Sequence, residues 1–247
     1  MPPEGRPIEE EKQYLGQAGQ RGSCERAQEK EGEGMRQVRK LSGFHSVDLR
    51  SLGTVVLAMG PEQKVEVEAP EDLQPRVRTE VQDGVLVVGL RWWLGALLRV
   101  PDLRDVMVRV TAAELRALRL SGAGQVRSEG VLKVEDLDLR LSGAGRLALD
   151  LEARRLEARL SGAGAVELSG TAEELEIRLS GAGAVQAERL QARRVRIKAS
   201  GAGECRVNAS EALEAEVSGA GSVGYLGNAR VESRITGVGK VAPLPPG

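Results

Sequence analysis

The sequence predicts an all-β protein, a parallel β-solenoid whose turns take about 19 residues. Three observations carry that prediction. A short glycine motif returns along the second half of the chain. The residues on either side of it alternate between apolar and charged. Aromatic residues make up only 2% of 247 residues, although 41% are hydrophobic.

The motif reads "LSGAGQV" from Leu120, "LSGAGRL" from Leu141 and "LSGAGAV" from both Leu160 and Leu179. It continues as "ASGAGEC" from Ala199, "VSGAGSV" from Val217 and a worn copy, "ITGVGKV", from Ile235. Its serines are Ser121, Ser142, Ser161, Ser180, Ser200 and Ser218, with Thr236 last, at spacings of 21, 19, 19, 20, 18 and 18 residues. A near-regular period of this size is the signature of a repeat architecture.

The segments that lead into the motif are "LDLRL" (137–141), "LEARL" (156–160), "LEIRL" (175–179), "VRIKA" (195–199) and "LEAEV" (213–217). Each alternates strictly, which is the two-residue period of a strand with one buried face. In "VESRI" (231–235) Ser233 takes the middle inward place. Alternation resumes after each motif, as at Leu147, Leu149 and Leu151. Each repeat is therefore expected to run strand, glycine corner, strand, second corner. Leu, Glu, Arg and Ala favour helix, but the period is two, five residues are too few for a stable helix, and a Gly-x-Gly interrupts every repeat.

One such unit cannot bury its apolar face alone. Stacked with each strand parallel to its equivalent about 4.8 Å away, it can. The Leu, Val, Ile and Ala positions then form internal columns, and a core that thin has little room for aromatic rings.

The glycine pairs are read as corners: Gly122 and Gly124, Gly143 and Gly145, Gly162 and Gly164, Gly181 and Gly183, Gly201 and Gly203, and Gly219 and Gly221. Glycine supplies positive φ and lets successive turns approach. The motif serine is expected to bond to corner backbone or to the serine above it. A phosphate-cradling loop would need a helix after it, and none follows any copy.

The outward charges are ordered too. Arg119, Arg140, Arg159, Arg178, Lys198, Glu216 and Arg234 stand two places before the motif residue. Asp138, Glu157, Glu176, Arg196, Glu214 and Glu232 stand four places before it. Stacking turns these into adjacent basic and acidic columns, a solvated ladder of ion pairs rather than a polyanion-binding stripe.

With 35 basic and 36 acidic residues the formal net charge is −1, which gives no electrostatic case for nucleic acid. No run reaches the length of a membrane-spanning helix. Two cysteines, Cys24 and Cys205, build neither a disulfide framework nor a closed zinc site. Cys205 stands in a Val/Leu position and is expected to be buried and inert.

These corners, with what precedes them, resemble the putative auto-transporter adhesin head GIN domain family. "LSGFHSVDLRSLGTVVLAMGPEQKVEVEAPEDL" (41–73) is similar to the family's opening, a "GF-x-x-V" strand followed by a hairpin-like pair. "TEVQDGVLVVGL" (79–90) resembles its "DG-x-L-x-V" strand, and "VMVRVTAAELRALRLSGAG" (106–124) its entry into the repeats, with Ala112 and Ala113 where proline is usual. The resemblance implies a right-handed parallel β-helix with a strand-rich N-terminal leader. It also implies a cell-surface or adhesive role. Family members usually carry an export signal, whereas the first 34 residues hold no apolar signal-like stretch. Localisation therefore stays open.

The expected organisation is a disordered tail over 1–37, with Met35 as a second candidate initiator. A single solenoid domain follows over 38–242, its leader 38–110 and its repeats 111–242. A Pro-rich tail occupies 243–247. No catalytic residue, cofactor or metal site is expected. After Asp150 the chain has no aspartate, its glutamates fall on the outer ladder, and His45 is its one histidine. The leading function is a non-enzymatic surface or adhesin-like module with an unidentified ligand or protein partner. An intracellular polymer of the bactofilin kind and, more weakly, a carbohydrate-active enzyme are the alternatives. Trp92 and Trp93 form a possible contact patch. Pro243, Pro245 and Pro246 read as a stop at the C-terminal rim. Self-association is therefore expected to use the leader, the tryptophans or the side walls, giving a monomer or small homo-oligomer.

Overall fold

The computed structural model describes residues 35–50, 53–90 and 105–245. The tail up to residue 34, Cys24 and the Trp92–Trp93 pair lie outside the described residues. Among the described residues the regular structure is strand, apart from one short 3-10 turn, Gln74–Arg76. No helix among them is long and apolar enough to cross a membrane.

The repeats form a parallel β-solenoid. Its rungs are built from β8 (Ala117–Gly122) with β9 (Gln125–Ser128), then β10 (Leu132–Gly143), β11 (Arg146–Gly162), β12 (Ala165–Gly181), β13 (Ala184–Gly201) and β14 (Glu204–Gly219). β15 (Ser222–Leu226), β16 (Arg230–Gly237) and β17 (Lys240–Pro243) complete the far end. Ser142 aligns with Ser161, Ser161 with Ser180, Ser180 with Ser200, Ser200 with Ser218 and Ser218 with Thr236.

Burial follows the alternation. In β11, Leu147, Leu149 and Leu151 point inward, then Leu156, Ala158 and Leu160. The inward set changes from odd to even numbers across Glu152–Arg155. That phase change is the second corner, and it needs no chain break: Glu152 still pairs with Thr171 and Ala153 with Ala172. Strands of 16 to 18 residues thus bend through a corner where the repeat pattern suggested two separate strands. Leu141, Leu160, Leu179, Ala199 and Val217 stack as one internal column. Each fully buried Leu or Val in such a column contributes roughly 1.5–3 kcal/mol.

The uneven spacing is absorbed by bulges. Between β12 and β13 the offset changes from Glu167↔Gln186 to Ser169↔Arg189, taking up one extra residue. Between β13 and β14 the register shifts again after Ala187↔Val207. These bulges keep the inward columns aligned while rung length varies.

The leader is threaded less simply. β2 (Ser46–Leu49) and β3 (Thr54–Met59) form a rung that stacks on β8 and β9. On the other side of that rung lie β6 (Val85–Leu90) against β2 and β7 (Met107–Ala112) against β3, all parallel. The first rung in sequence is therefore the second in space. β4 (Lys64–Ala69) does not form a hairpin with β3, contrary to the expected pair; it runs antiparallel to β7. The reason is that β3 has both edges occupied, by β7 and β9. β5 (Val77–Gln82) closes the end as an antiparallel hairpin with β6. Asp83 and Gly84 make its turn with positive φ at both residues, 49° and 75°. β1 (Met35–Arg39) runs antiparallel to β4.

This arrangement caps the N-terminal end. Leu73, Val77 and Phe44, the chain's one phenylalanine, are buried there. Arg39 donates to the Val77 carbonyl (2.7 Å) and to Thr79 Oγ1 (3.0 Å). The Gln74 amide bridges the carbonyls of Val67 and Met35.

Candidate functional site

A groove of about 660 Å³ runs along one wall, lined chiefly by two stacked columns. Arg119, Arg140, Arg159, Arg178 and Lys198 form the first; Ser121, Ser142, Ser161, Ser180 and Ser200 form the second. Both columns come from the strand that enters the glycine corner. Strand alternation sends Arg and Ser outward while the Leu between them turns into the core.

The acidic column stands beside the basic one and pairs with it along and across rungs. Arg140 meets Asp138 at 2.7 Å, and Arg159 meets Asp138 at 2.9 Å and Glu157 at 2.5 Å. Arg178 meets Glu176 at 2.8 Å and Glu157 at 3.6 Å. Where one rung is wholly basic and the next wholly acidic, Arg196 meets Glu214 at 2.8 Å and Lys198 meets Glu216 at 3.3 Å. Partial burial alone would raise the Asp138 carboxyl. Hydrogen bonds and charge from Arg140 and Arg159 outweigh that and hold it below its ordinary value. The Arg196 hydrogen bond likewise holds Glu214 low, with Coulombic attraction adding to it. Each exposed pair contributes little alone, but the shared carboxylates link the pairs into a network.

Ser121, Ser200 and Ser218 are anchored from below. Ser200 Oγ donates to the Leu179 carbonyl (3.4 Å) and Ser218 Oγ to the Ala199 carbonyl (3.5 Å). Of the two expected partners, these three use the backbone of the rung beneath. The first glycine of every copy, Gly122 through Gly237, has φ between 103° and 119°. A Cβ added at Gly162 would lie 2.5 Å from the Gly143 carbonyl oxygen. Ladder hydrogen bonds continue through the corner, as from Ala163 N–H to the Gly143 carbonyl (3.0 Å) and from Ala165 N–H to that of Gly145 (3.0 Å).

Cys205 sits wholly buried between Val185 and Val223. Burial, with Glu188 and Glu204 nearby, pushes its thiol far above the ordinary range. His45 is half-buried, its Nδ1 3.0 Å from Ser46 Oγ and its ring packed over Gly84. Among the described residues no group of three or more His, Cys, Asp or Glu side chains could hold a metal ion. Trp92 and Trp93, the expected contact patch, fall outside the described residues.

Two features escaped the reading of the sequence. Gln63 clamps the opening strand by accepting from Gly43 N–H (2.6 Å) and donating to the Phe44 carbonyl. Gly170 takes φ of 106° at the second corner, where an added Cβ would strike the Leu151 carbonyl. A lone glycine inside an alternating run was the available signal for the latter.

A sequence-family model described as "Putative auto-transporter adhesin, head GIN domain" matches residues 43–229. The chain belongs to the head GIN domain family. Solved structures share its architecture. An adhesin candidate from Bacteroides fragilis NCTC 9343 superposes with a TM-score of 0.79 at 23% identity, over 85% of this chain and 96% of that one. Another, from Parabacteroides merdae ATCC 43184, gives 0.68 at 20% identity, over 87% and 98%. A protein from Parabacteroides distasonis ATCC 8503, described as a putative lipid binding protein, gives 0.67 at 21% identity, over 87% and 98%. A search of the curated proteins finds no match. The GIN match begins at the Gly43–Phe44 pair that Gln63 clamps, so it takes in the intercalated leader as well as the repeats up to residue 229.

Proposed function

We propose that this GIN-domain chain is a non-enzymatic binding module of the adhesin kind, acting at the cell surface. Residues 38–242 serve as its single solenoid domain, and the serine–arginine groove is its working surface. The observation that carries this reading is repetition. The groove offers the same pair of side chains on successive rungs, about 4.8 Å apart, which suits a long polymer lying along the stack. Catalysis would call for one differentiated spot, with acid, base and nucleophile brought to one scissile bond. Most of the groove cations already face carboxylates, so the favoured ligand is a hydroxyl-rich linear polysaccharide rather than a polyanion.

The test is binding to immobilised neutral and acidic polysaccharides, with lipid vesicles in parallel, and Arg159→Ala with Arg178→Ala as the groove variant. Retention on a neutral polysaccharide, weakened in the variant, supports the proposal. New reducing ends released from any polysaccharide would refute the non-enzymatic part. Fractionation of the producing cells tests the placement, and recovery solely with soluble cytoplasmic protein would contradict it.

A further inference from the structure

The two ends of the solenoid are unlike each other. The N-terminal rungs are covered by β1, β4 and β5. Among the described residues β16 and β17 form the last rung at the C-terminal end, and the proline stop lies on only one of them. Leu244 N–H donates to the Tyr225 carbonyl and Lys240 N–H to that of Gly221. By alternation the backbone groups of Val241 and Pro243 face the open edge, and Pro243 has no N–H to offer there. β16 has no proline. Its inward residue Ile235 remains 43% exposed, although its column partner Val217 is buried. No described strand pairs with the outer edge of β16, and a repeat left with an open edge and an uncovered column needs a cap.

The order of residues on β16 says what fits there. One rung position recurs as Asp138, Glu157, Glu176, Arg196, Glu214 and Glu232. Asp138 N–H donates to the carbonyl of Arg116, the residue just before β8 on the rung below. Glu232 and Arg234 accordingly direct their backbone groups back to β14, and Val231, Ser233 and Ile235 direct theirs to the open edge. The run Val231-Glu232-Ser233-Arg234-Ile235 is complementary to its own reverse. We propose that β16 pairs antiparallel with β16 of a second copy of this chain, about a two-fold axis at Ser233.

In that register Val231 meets Ile235 of the second copy on the core side, continuing the aliphatic columns across the junction. Glu232 meets Arg234 of the second copy on the outer side, and the axis repeats both contacts. The three outward-facing residues are the ones that would exchange backbone hydrogen bonds, and the charged pair falls at the closer, non-hydrogen-bonded positions. Within the chain Glu232 meets Arg230 at 3.0 Å, while Arg234 has no ion-pair partner among the described residues. The contact uses one end only, so it closes as a dimer and does not grow. It departs from the expectation that the proline-marked rim is avoided, because the prolines guard β17 alone. It does not depend on what the groove binds.

The test uses the full chain and exchanges charge at two exposed positions. Light scattering after size exclusion, over a concentration series, should give wild type about twice the 26.4 kDa chain mass. Glu232→Arg alone and Arg234→Glu alone each place like charges opposite one another twice, and should weaken the dimer roughly tenfold or more. The double exchange, and an equimolar mixture of the two single variants, should restore it. Circular dichroism of each variant should match wild type. The proposal is overturned if wild type stays monomeric at the highest concentration reached, if the single variants dimerise as well as wild type, or if the mixture fails to recover the dimer. Loss of the dimer in Trp92→Ser with Trp93→Ser, with the β16 variants unaffected, would overturn it by moving the contact to the leader.

Discussion

Replacing Gly162 with alanine tests what the corner glycines do. Gly162 lies in an interior rung with φ of 112°. The new Cβ would stand 2.5 Å from the Gly143 carbonyl oxygen and 3.1 Å from its nitrogen. Both are backbone atoms in a hydrogen-bonded ladder, so no side chain can swing aside. A non-glycine residue at such φ costs about 1–3 kcal/mol. Relieving the overlap by moving two rungs apart adds a cost of similar size, about 1–3 kcal/mol. At about 2–4 °C per kcal/mol for a domain of this length, Gly162→Ala should melt roughly 4–24 °C below wild type. Gly130→Ala is the control: φ there is 78°, and nothing lies within 4 Å of an added Cβ. It should lose about 1–2 kcal/mol from backbone strain alone. Thermal melts of the three proteins decide the matter. If Gly162→Ala melts with Gly130→Ala or above it, close rung approach at the corner is not what glycine provides.

Leu156 is fully buried in an interior rung, and Leu156→Ala should cost about 2–5 kcal/mol, read by chemical denaturation. Cys205 should resist a thiol-specific reagent in the folded protein and react once denaturant is added, followed by mass spectrometry of its peptide; rapid native labelling would shift the inward assignment by one residue. Because Arg140 and Arg159 hold Asp138 below its ordinary value in the folded state, the ladder's contribution is present above the unfolded carboxylate value near pH 4 and is lost as pH falls through the folded one. Stability measured down the acid limb should therefore decline less steeply in Asp138→Asn than in wild type.

The repeats were legible because every rung writes the same rule. Alternation located Leu147, Leu149, Leu151, Leu156 and Leu160 on the inside, and the Arg and Glu columns of the wall followed from the same parity. The leader was harder to read because its pairing is not local. That β2 and β3 lie between β6–β7 and β8–β9 depends on strands far apart in sequence, and no short pattern records it. The expected β3–β4 hairpin failed for that reason, although the Asp83–Gly84 turn of the real hairpin stood in plain view. The C-terminal prolines were visible too. Which of the two end strands they protect became clear only when β17 and β16 were separated onto the two runs of the last rung.

The central claim is that equivalent residues of successive repeats stand directly above one another. Spin labels on Ser121→Cys and Ser200→Cys, in a background with Cys24→Ser, test it through their separation by pulsed electron resonance. Those sites lie on the same column four rungs apart. Stacking at about 4.8 Å per rung predicts a single narrow distance near 19 Å, widened only by the label arms. A broad distribution, or a distance beyond about 35 Å that label arms cannot bridge from a 4.8 Å rung spacing, would contradict the solenoid register.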